Sequence, residues 1–264
     1  MVNGCKEIFS QSIWKMINKL LEKISRFFTN LISINYKLNH KYQNKNQVTN
    51  FELILKLLKE KNYNPKYIYD IGCGHGQWTK KSLKFFPNSK YYLFDANNNN
   101  LEKLKLLKLN NSNIEYKICL LSDDFSSYDF YNMGYGSSIY EEQTSYDRYV
   151  EKLNSTTLYN EISSDIKQYS NNLIKLDVQG AEINILKGLK EYINLFEVII
   201  LEVSLHNYNK NAPLFDEVMN FMNDNGYKLY DIYDLKRLGK EKSFLLQLDC
   251  VFVKKNSYLF NVKF

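Results

Sequence analysis

The sequence predicts an α/β fold whose core is a mostly parallel sheet of seven strands. Short apolar segments alternate with amphipathic segments of helical length throughout residues 51–264. Hydrophobic residues make up 44% of the 264-residue chain and aromatic residues 15%, which is enough to fill a core of this size. Strands joined by helices run parallel and are covered on both faces, so the core strands should be apolar along their whole length.

The individual elements follow from these periodicities in chain order. The predicted strands are 67–71, 91–94, 114–121, 172–177, 197–204, 227–233 and 246–254. The predicted helices are 51–61, 77–86, 98–109, 181–193 and 212–225. No helix separates the last two strands, so we expect them to form an antiparallel pair at one edge of the sheet.

Residues 1–50 are predicted to be a basic, amphipathic helical extension with a linker, followed by a single domain over residues 51–264. Apolar side chains recur at helical spacing over residues 8–34. Residues 1–50 contain eight basic and two acidic residues, which account for the whole net charge of +6. The longest charge-free stretch of this N-terminal region, 27–36, falls short of the roughly 20 residues that span a bilayer. Two interpretations stay open. The helix packs on the following domain or a partner subunit, or it contacts an anionic membrane surface.

The cysteine pattern bears on the compartment. The four cysteines are scattered and form no C-x-x-C pair, which predicts neither a disulfide framework nor a structural zinc site. The N-terminus has no clean apolar core followed by a small-residue cleavage site. We therefore expect a cytoplasmic location, at the inner face of the membrane if the helix over residues 8–34 binds lipid.

A glycine-rich loop closes the first predicted strand and opens a helix. Its glycines at Gly72, Gly74 and Gly76 allow a tight turn and the close approach of a ligand. Free N–H groups at the helix start favour an anionic group, here the carboxylate of S-adenosylmethionine. Asp70 leads the loop and is placed to accept from loop N–H groups or from the cofactor's amino group. A dinucleotide fingerprint would put its third glycine at position 77, where the chain has Gln77, so the loop favours S-adenosylmethionine over a dinucleotide. Asp70 and the three loop glycines are therefore predicted to bind S-adenosylmethionine.

Two further strand ends supply candidate contacts to the nucleoside part of this cofactor. Asp95, followed by Ala96, ends the second predicted strand 19 residues after Gly76, where a carboxylate can accept from both ribose hydroxyls. Ser122 and Asp123 end the third predicted strand, the usual location for contacts to adenine. A strand-end acid that caps the next helix, and a polar turn, are the structural alternatives for these two sites.

The most specific string in the chain runs from Leu173 to Leu189. A buried strand ends in Asp177, and a turn at Gly180 starts an amphipathic helix. Ligands gather outside the carboxyl ends of strands in such sheets, so Asp177 should lie near Asp70 and Asp95.

This string, Lys175-Leu-Asp-Val-Gln-Gly-Ala-Glu182, resembles the signature of the FkbM-type methyltransferases. The resemblance covers about residues 64–254. It also includes Asp70 to Trp78, Gly136-Ser-Ser138 with Tyr140, Glu202-Val-Ser204, Asn207-Tyr-Asn-Lys210 with Pro213, and Gly226 to Asp231. Many members have Ala-Asn-x-Gly where this chain has Cys73-Gly-His-Gly76, so no role for His75 is taken over.

The resemblance implies a Rossmann-like class I methyltransferase sheet, S-adenosylmethionine as cofactor, and O-methylation. The acceptor it implies is commonly a sugar hydroxyl of a glycan, lipopolysaccharide or glycosylated metabolite. A base near that hydroxyl would help to remove its proton, and the candidates at strand ends are Asp177, Glu202 and His206. Asp177, Glu202 and Glu182 lack a clear ligand geometry, so no metal is predicted.

Other function classes remain as alternatives. The basic N-terminal region would suit a nucleic-acid methyltransferase, but the chain has no Pro-Pro pair and no Pro-Cys pair, which base methylation at an amino group or a ring carbon typically uses. A nucleic-acid partner is therefore not expected. O-methylation of a non-sugar small molecule or a lipid, a non-catalytic cofactor-fold subunit, and a homo-oligomer stay open.

Overall fold

The computed structural model describes residues 50–134, 136–162, 166 and 168–261. All of them lie in one compact unit, Thr49–Phe264. The helix predicted over residues 8–34 and the linker lie outside the described residues. None of the described helices is long and apolar enough to span a membrane.

The described residues contain ten strands and six α-helices. The strands are β1 Tyr67–Ile71, β2 Lys90–Asp95, β3 Ile114–Ile118, β4 Leu120–Ser122, β5 Ser127–Asn132, β6 Tyr149–Thr157, β7 Asn172–Leu176, β8 Phe196–Ser204, β9 Tyr227–Leu238 and β10 Phe244–Lys254. The helices are α1 Phe51–Glu60, α2 Gln77–Ser82, α3 Leu101–Leu109, α4 Leu158–Glu161, α5 Glu182–Lys187 and α6 Phe215–Asp224.

Seven strands form the central sheet in the order β3-β2-β1-β7-β8-β10-β9. All neighbouring pairs from β3 to β8 are parallel, whereas β10 runs antiparallel to both β8 and β9. The predicted α/β fold with seven strands and an antiparallel pair at one edge is therefore confirmed. The chain leaves β1 in one direction toward β2 and returns on its other side with β7, so a topological switch point lies between β1 and β7.

Two apolar clusters cover the two faces of this sheet. One face packs against α4, α5 and α6, through side chains such as Leu158, Leu186 and Met222. The other packs against α1, α2 and α3, through side chains such as Leu55 and Trp78. Strands β1 and β7 are buried along their whole length, as a parallel sheet covered on both faces requires.

A second, three-stranded sheet with the order β4-β6-β5 is absent from the sequence-based prediction. The predicted strand 114–121 is divided at Cys119, whose N–H donates to the Asp95 carbonyl (2.9 Å), and β4 then joins the small sheet. Strand β6 is largely exposed and polar, and its sequence has no apolar alternation. The strand therefore forms because it pairs with β4 and β5, and its sequence alone does not predict it.

Candidate functional site

A cavity of about 600 Å³ lies at the switch point, at the carboxyl ends of the parallel strands. Its walls come from the glycine loop, the end of β2, the segment around β4, Gly134 with residues 136–139, the turn after β7, the last part of β9 and the middle of β10. A cavity of this size is typical for cofactors and small substrates.

The three loop glycines, all with positive φ, have three different surroundings. A Cβ on Gly72 would lie 2.0 Å from the carbonyl oxygen of Asp177, so this glycine permits close packing of two strand ends. A Cβ on Gly76 would lie 2.4 Å from the Leu107 side chain, which makes Gly76 a contact of α3 that does not line the cavity. Gly74 has nothing within 4 Å of that position and faces the cavity. Gly72 and Gly74 both line the cavity, and of the two only Gly74 has free space where a Cβ would stand.

Asp95 lies at the cavity wall beneath the loop. Its Oδ2 accepts from the Gly74 N–H (2.7 Å), and its Oδ1 accepts from the Asn97 N–H (2.8 Å) and the Asn100 amide (2.9 Å). Burial raises the pKa of Asp95, and these three donors oppose the shift. A carboxylate has about four acceptor positions, so three protein donors leave one on Oδ2 for a ligand. Ala96, the next residue, also lines the cavity.

Asp70 is fully buried behind the loop and does not line the cavity. Its Oδ2 accepts from the Thr79 hydroxyl (2.6 Å), and its Oδ1 lies 4.0 Å from the Lys175 Nζ. Burial raises the pKa of Asp70, whereas Lys175 and Thr79 lower it. The predicted contact between Asp70 and the cofactor is therefore not formed by this geometry, which instead places Asp70 beneath Lys175.

Ser122 and Asp123 also lie away from the cavity wall, contrary to the expectation of adenine contacts. The Ser122 hydroxyl is buried and donates to Asp123 (3.0 Å), and Gly188 packs against the Ser122 carbonyl. Cys119, Leu120 and Leu121 still line the cavity, whereas the Ser122 hydroxyl contacts Asp123 and the Tyr128 hydroxyl outside it. The apolar cavity wall here is lined instead by Phe94, Leu120, Leu121, Phe130 and Ile185.

The turn after β7 is fixed by its own side chains. Gln179 adopts φ 55° and Gly180 φ 105°, and the carboxylate of Glu182 accepts from the N–H groups of Val178 (3.0 Å) and Gly180 (3.0 Å). Glu182 is buried, and burial raises its pKa to about 7. The spacing from Asp177 to Glu182 thus builds a hydrogen-bonded turn, from which Asp177 and Gln179 line the cavity.

Asp177 is the predicted catalytic residue that lines the cavity. Its carboxylate accepts from Lys175 Nζ (3.1 Å) and from the Gln179 amide (3.2 Å). Although burial opposes the charged form, Lys175 and Lys236 hold the pKa of Asp177 below its ordinary value. The buried Lys175 ammonium is also close to Asp70, and these acids raise the pKa of Lys175 against the effect of burial.

Glu202 and His206 do not line the cavity. The buried Glu202 carboxylate forms an ion pair with Lys236 and accepts from the side-chain amides of Gln179 and Gln247. His206 is exposed and stacks on Phe244, with ring centroids 4.2 Å apart. In this structure both predicted bases therefore lie outside the cavity lining, Glu202 behind Lys236 and Gln179, and His206 on the surface.

The sequence analysis missed four cavity residues, which lie on the last two strands. Tyr233, Asp234, Lys236 and Asp249 line the same cavity as Asp177. Gln247 and Asp249 are the only polar residues of strand β10 before Lys254 at its end. Two polar residues at a spacing of two lie on the same face of a strand, and in a buried strand they indicate a functional site on that face.

Gly134 and residues 136–139 line one side of the cavity. Ser138 donates to the Gln179 carbonyl (2.9 Å), and the Tyr140 hydroxyl donates to Asn184 (3.1 Å). The small sheet is thereby attached to the turn after β7 and to α5. Among the described residues, no group of three or more His, Cys, Asp or Glu side chains could hold a metal ion.

A sheet of this strand order with a glycine loop at its switch point defines the class I methyltransferase fold. A family model for the FkbM methyltransferase domain matches residues 70–229, which is more than half of the chain. The chain belongs to the FkbM methyltransferase family. The predicted family, enzyme class and cofactor, S-adenosylmethionine, are confirmed at this level.

Solved structures give weak similarities. An FkbM methyltransferase from Methylobacillus flagellatus is 14% identical at a TM-score of 0.46, over 70% of this chain and 43% of that one. A precorrin-6y C5,15-methyltransferase from Geobacter metallireducens is 11% identical at 0.44, over 79% and 90%. Fibrillarin from Aeropyrum pernix, with natively bound S-adenosyl-L-methionine, is 9% identical at 0.42, over 72% and 67%.

The chain thus spans less than half the length of the Methylobacillus protein. No curated protein matches the chain in sequence.

The described residues fit S-adenosylmethionine. Gly74 leaves an open approach to the loop backbone, Asp95 retains one acceptor position toward the cavity, and Leu120, Leu121 and Phe130 form an apolar wall of the kind that a purine packs against.

Proposed function

We propose that this protein methylates a hydroxyl group of a sugar, in a glycan, a lipopolysaccharide or a glycosylated metabolite. The observation that carries the proposal is the polarity of the cavity beyond the glycine loop. There the walls present Lys175, Asp177, Gln179, Tyr233, Asp234, Lys236 and Asp249. A sugar offers a hydroxyl on nearly every carbon, and such an acceptor needs this many donors and acceptors to be held in one orientation.

The cofactor belongs at the other end of the cavity in this proposal. Gly74 would lie against its methionine part, Asp95 would accept from one ribose hydroxyl, and Leu121 and Phe130 would contact the adenine. Bound there, S-adenosylmethionine supplies an electrophilic methyl group on a sulfonium. The protein's part is then to orient the acceptor oxygen toward that methyl group and to exclude water.

Asp177 is assigned to the orientation of the acceptor. It is ionised, because Lys175 and Lys236 lower its pKa, and its side chain is 30% exposed toward the cavity. An ionised carboxylate accepts strong hydrogen bonds from hydroxyl groups. A carboxylate so stabilised is a weak base, so it suits binding of a hydroxyl better than removal of its proton.

A lipid-linked acceptor is the second candidate. Leu238 and Phe244 are 49% and 44% exposed on the hairpin formed by β9 and β10, whose strands contribute Lys236 and Asp249 to the cavity. Exposed apolar side chains beside a site are typical of contact with an apolar partner.

The test uses the full chain and S-adenosylmethionine carrying a deuterated methyl group. Nucleotide sugars, lipopolysaccharide oligosaccharides, glycolipids, phospholipids and transfer RNA are offered separately, and mass spectrometry reads the incorporated methyl group. Incorporation into carbohydrate supports the proposal, and fragmentation identifies the methylated oxygen. Incorporation into RNA, or into a lipid without sugar, would contradict it.

A further inference from the structure

Asp249 is a buried acid that lines the cavity. It is 5% exposed, and its Oδ1 is buried without a hydrogen-bond partner among the described residues. The Asp70 Oδ1 also lacks a partner, but Asp70 lies outside the cavity lining. The ion pairs of this region go to other acids, with Lys175 on Asp177 and Lys236 on Glu202. Asp249 is therefore a cavity-lining carboxyl whose Oδ1 no donor of the described residues satisfies.

The strand register explains its position. Asp249 lies opposite Glu202 of β8 and opposite Tyr233 of β9, so the three side chains share one face of the sheet. Lys175 and Asp177 follow on the same face from β7. Asp249 and Asp177 both line the cavity, one from the antiparallel strand and one from the parallel strand end.

The charged and titratable groups around Asp249 come from three strands. They are Lys175 and Asp177 at β7, Glu202 on β8, and Tyr233, Asp234 and Lys236 on β9. Burial and the negative charge of Asp177 raise the pKa of Asp249 to about 7, against the opposing effect of Lys175 and Lys236. The same surroundings thus keep Asp177 ionised and keep the pKa of Asp249 close to neutral pH. In a pair of acids with such different pKa values, one suits binding and the other suits proton transfer.

We propose that Asp249 is the general base of this methyltransferase. This assignment rests on the proposed function, because it requires a hydroxyl group as the acceptor. The acceptor oxygen forms its bond to the methyl carbon as the bond from that carbon to sulfur breaks, and the hydroxyl proton passes to the Asp249 carboxylate. The reaction therefore leaves a methyl ether, a neutral thioether and a protonated Asp249. Loss of that proton to water restores the base.

Asp177 and Glu202 are weaker choices for this step. Asp177 is held ionised by Lys175, and the Glu202 carboxylate already accepts from Lys236, Gln179 and Gln247 outside the cavity lining. Asp249 alone among these three acids combines a cavity position with an oxygen that lacks a partner.

The first test needs neither acceptor nor cofactor. The ¹³C shift of the Asp249 side-chain carboxyl is followed by NMR from pH 4 to 9 in the cofactor-free full chain. We expect a midpoint near neutral pH, retained in Asp224→Asn, which removes an exposed acid at the end of α6. A midpoint near the ordinary value for aspartate would overturn the assignment, whatever the acceptor is.

The second test compares Asp249→Asn with wild type and with Asp224→Asn. We expect the Kd for S-adenosylhomocysteine to stay within about 3-fold and kcat at pH 7 to fall by at least about 100-fold, because a general base contributes about 10²–10⁴. We expect kcat of wild type to rise with pH as Asp249 loses its proton, and this rise should be absent in Asp249→Asn. Formate should partly restore turnover in Asp249→Ala, since it can enter the space left by the carboxyl.

Unchanged kcat and an unchanged pH profile in Asp249→Asn would overturn the proposal while the O-methylation of wild type stood. A wild type that methylates no hydroxyl would instead contradict the proposed function, and the base assignment would fall with it even if the NMR midpoint were near neutral.

Discussion

Neighbouring residues at this site differ in role, because some pack against the protein and others face the cavity. The glycine loop shows this most directly, because Gly72 contacts the Asp177 backbone, Gly76 contacts Leu107, and Gly74 faces the cavity. All three have a positive φ, so the backbone geometry explains the presence of glycine at each position. The surroundings of the missing Cβ then decide which one a ligand can approach.

Gly72→Ala should therefore mainly lower stability, whereas Gly74→Ala should mainly weaken cofactor binding. Gly72→Ala places a Cβ against the Asp177 carbonyl and should lower the free energy of unfolding by about 3 kcal/mol or more. Gly74→Ala meets no atom and should cost only about 1 kcal/mol for its left-handed backbone. It should still weaken S-adenosylhomocysteine binding by about 10-fold. Urea unfolding and calorimetry measure the two effects, and tight binding by Gly74→Ala would contradict the assignment of this loop.

Asp95→Asn should weaken cofactor binding by about 10–100-fold, because one charge-assisted hydrogen bond to the ribose is worth about 1.5–3 kcal/mol. Asp129→Asn is the control, since Asp129 is an exposed acid on β5 that pairs with Lys152. Calorimetry with S-adenosylhomocysteine gives both Kd values. Equal affinity in the two variants would remove Asp95 from the cofactor site.

At the scale of elements, five strands bring a row of ionisable groups onto one face of the sheet, near the carboxyl ends of the parallel strands. Asp70 on β1, Lys175 on β7, Glu202 on β8 and Asp249 on β10 occupy the row, which continues to Lys236 on β9. Farther from the strand ends the same face carries apolar side chains that pack against α1, α2 and α3. The row is therefore where the sheet changes from core to site.

Glu202 belongs to the structural part of this row. Glu202→Gln should lower the free energy of unfolding by about 1–3 kcal/mol, because it leaves Lys236 without its partner and turns an amide toward the Gln179 and Gln247 donors. The surface pair of Glu102 and Lys105 gives the control, in which Glu102→Gln should cost less than about 1 kcal/mol. Urea titration measures both changes. The rise of kcat with pH should persist in Glu202→Gln, and its loss would return Glu202 to the list of bases.

For the whole molecule, the raised pKa of Asp249 makes stability depend on pH. The carboxyl titrates at about 7 in the folded protein against an ordinary value of 3.8. Between these two values the unfolded chain has released a proton that the folded protein still binds, so this group's contribution to stability is lost as pH rises toward 7. Asp177 acts in the opposite direction, since its pKa is lowered and its contribution is lost in acid.

Asp249→Asn should therefore gain stability relative to wild type between pH 5 and pH 8. The full gain between the two pKa values is at most about 4 kcal/mol, at 1.36 kcal/mol per pH unit. Urea unfolding of both proteins at several pH values measures the difference, and Asp224→Asn should show no such trend. A difference that is constant with pH would show that Asp249 titrates alike in both states.

The sequence by itself determined the order and type of the main elements, the glycine loop, and the positions of Asp95 and Asp177 at strand ends. These features follow from local periodicity and from glycine spacing, which act within about ten residues of one another. The family could also be identified from the sequence, because the signature from Lys175 to Glu182 is a continuous string.

The tertiary structure alone decided which of these residues face the cavity. Pairing of β10 between β8 and β9 brings Asp249 beside Asp177, and it brings Lys236 onto Glu202 across 34 residues of sequence. Ser122, paired with Thr157 in the small sheet, and Asp123 lie outside the cavity wall, although the preceding Leu121 lines it. Such outcomes depend on register between distant strands, which no local pattern contains, and a shift by one residue would turn each side chain to the opposite face.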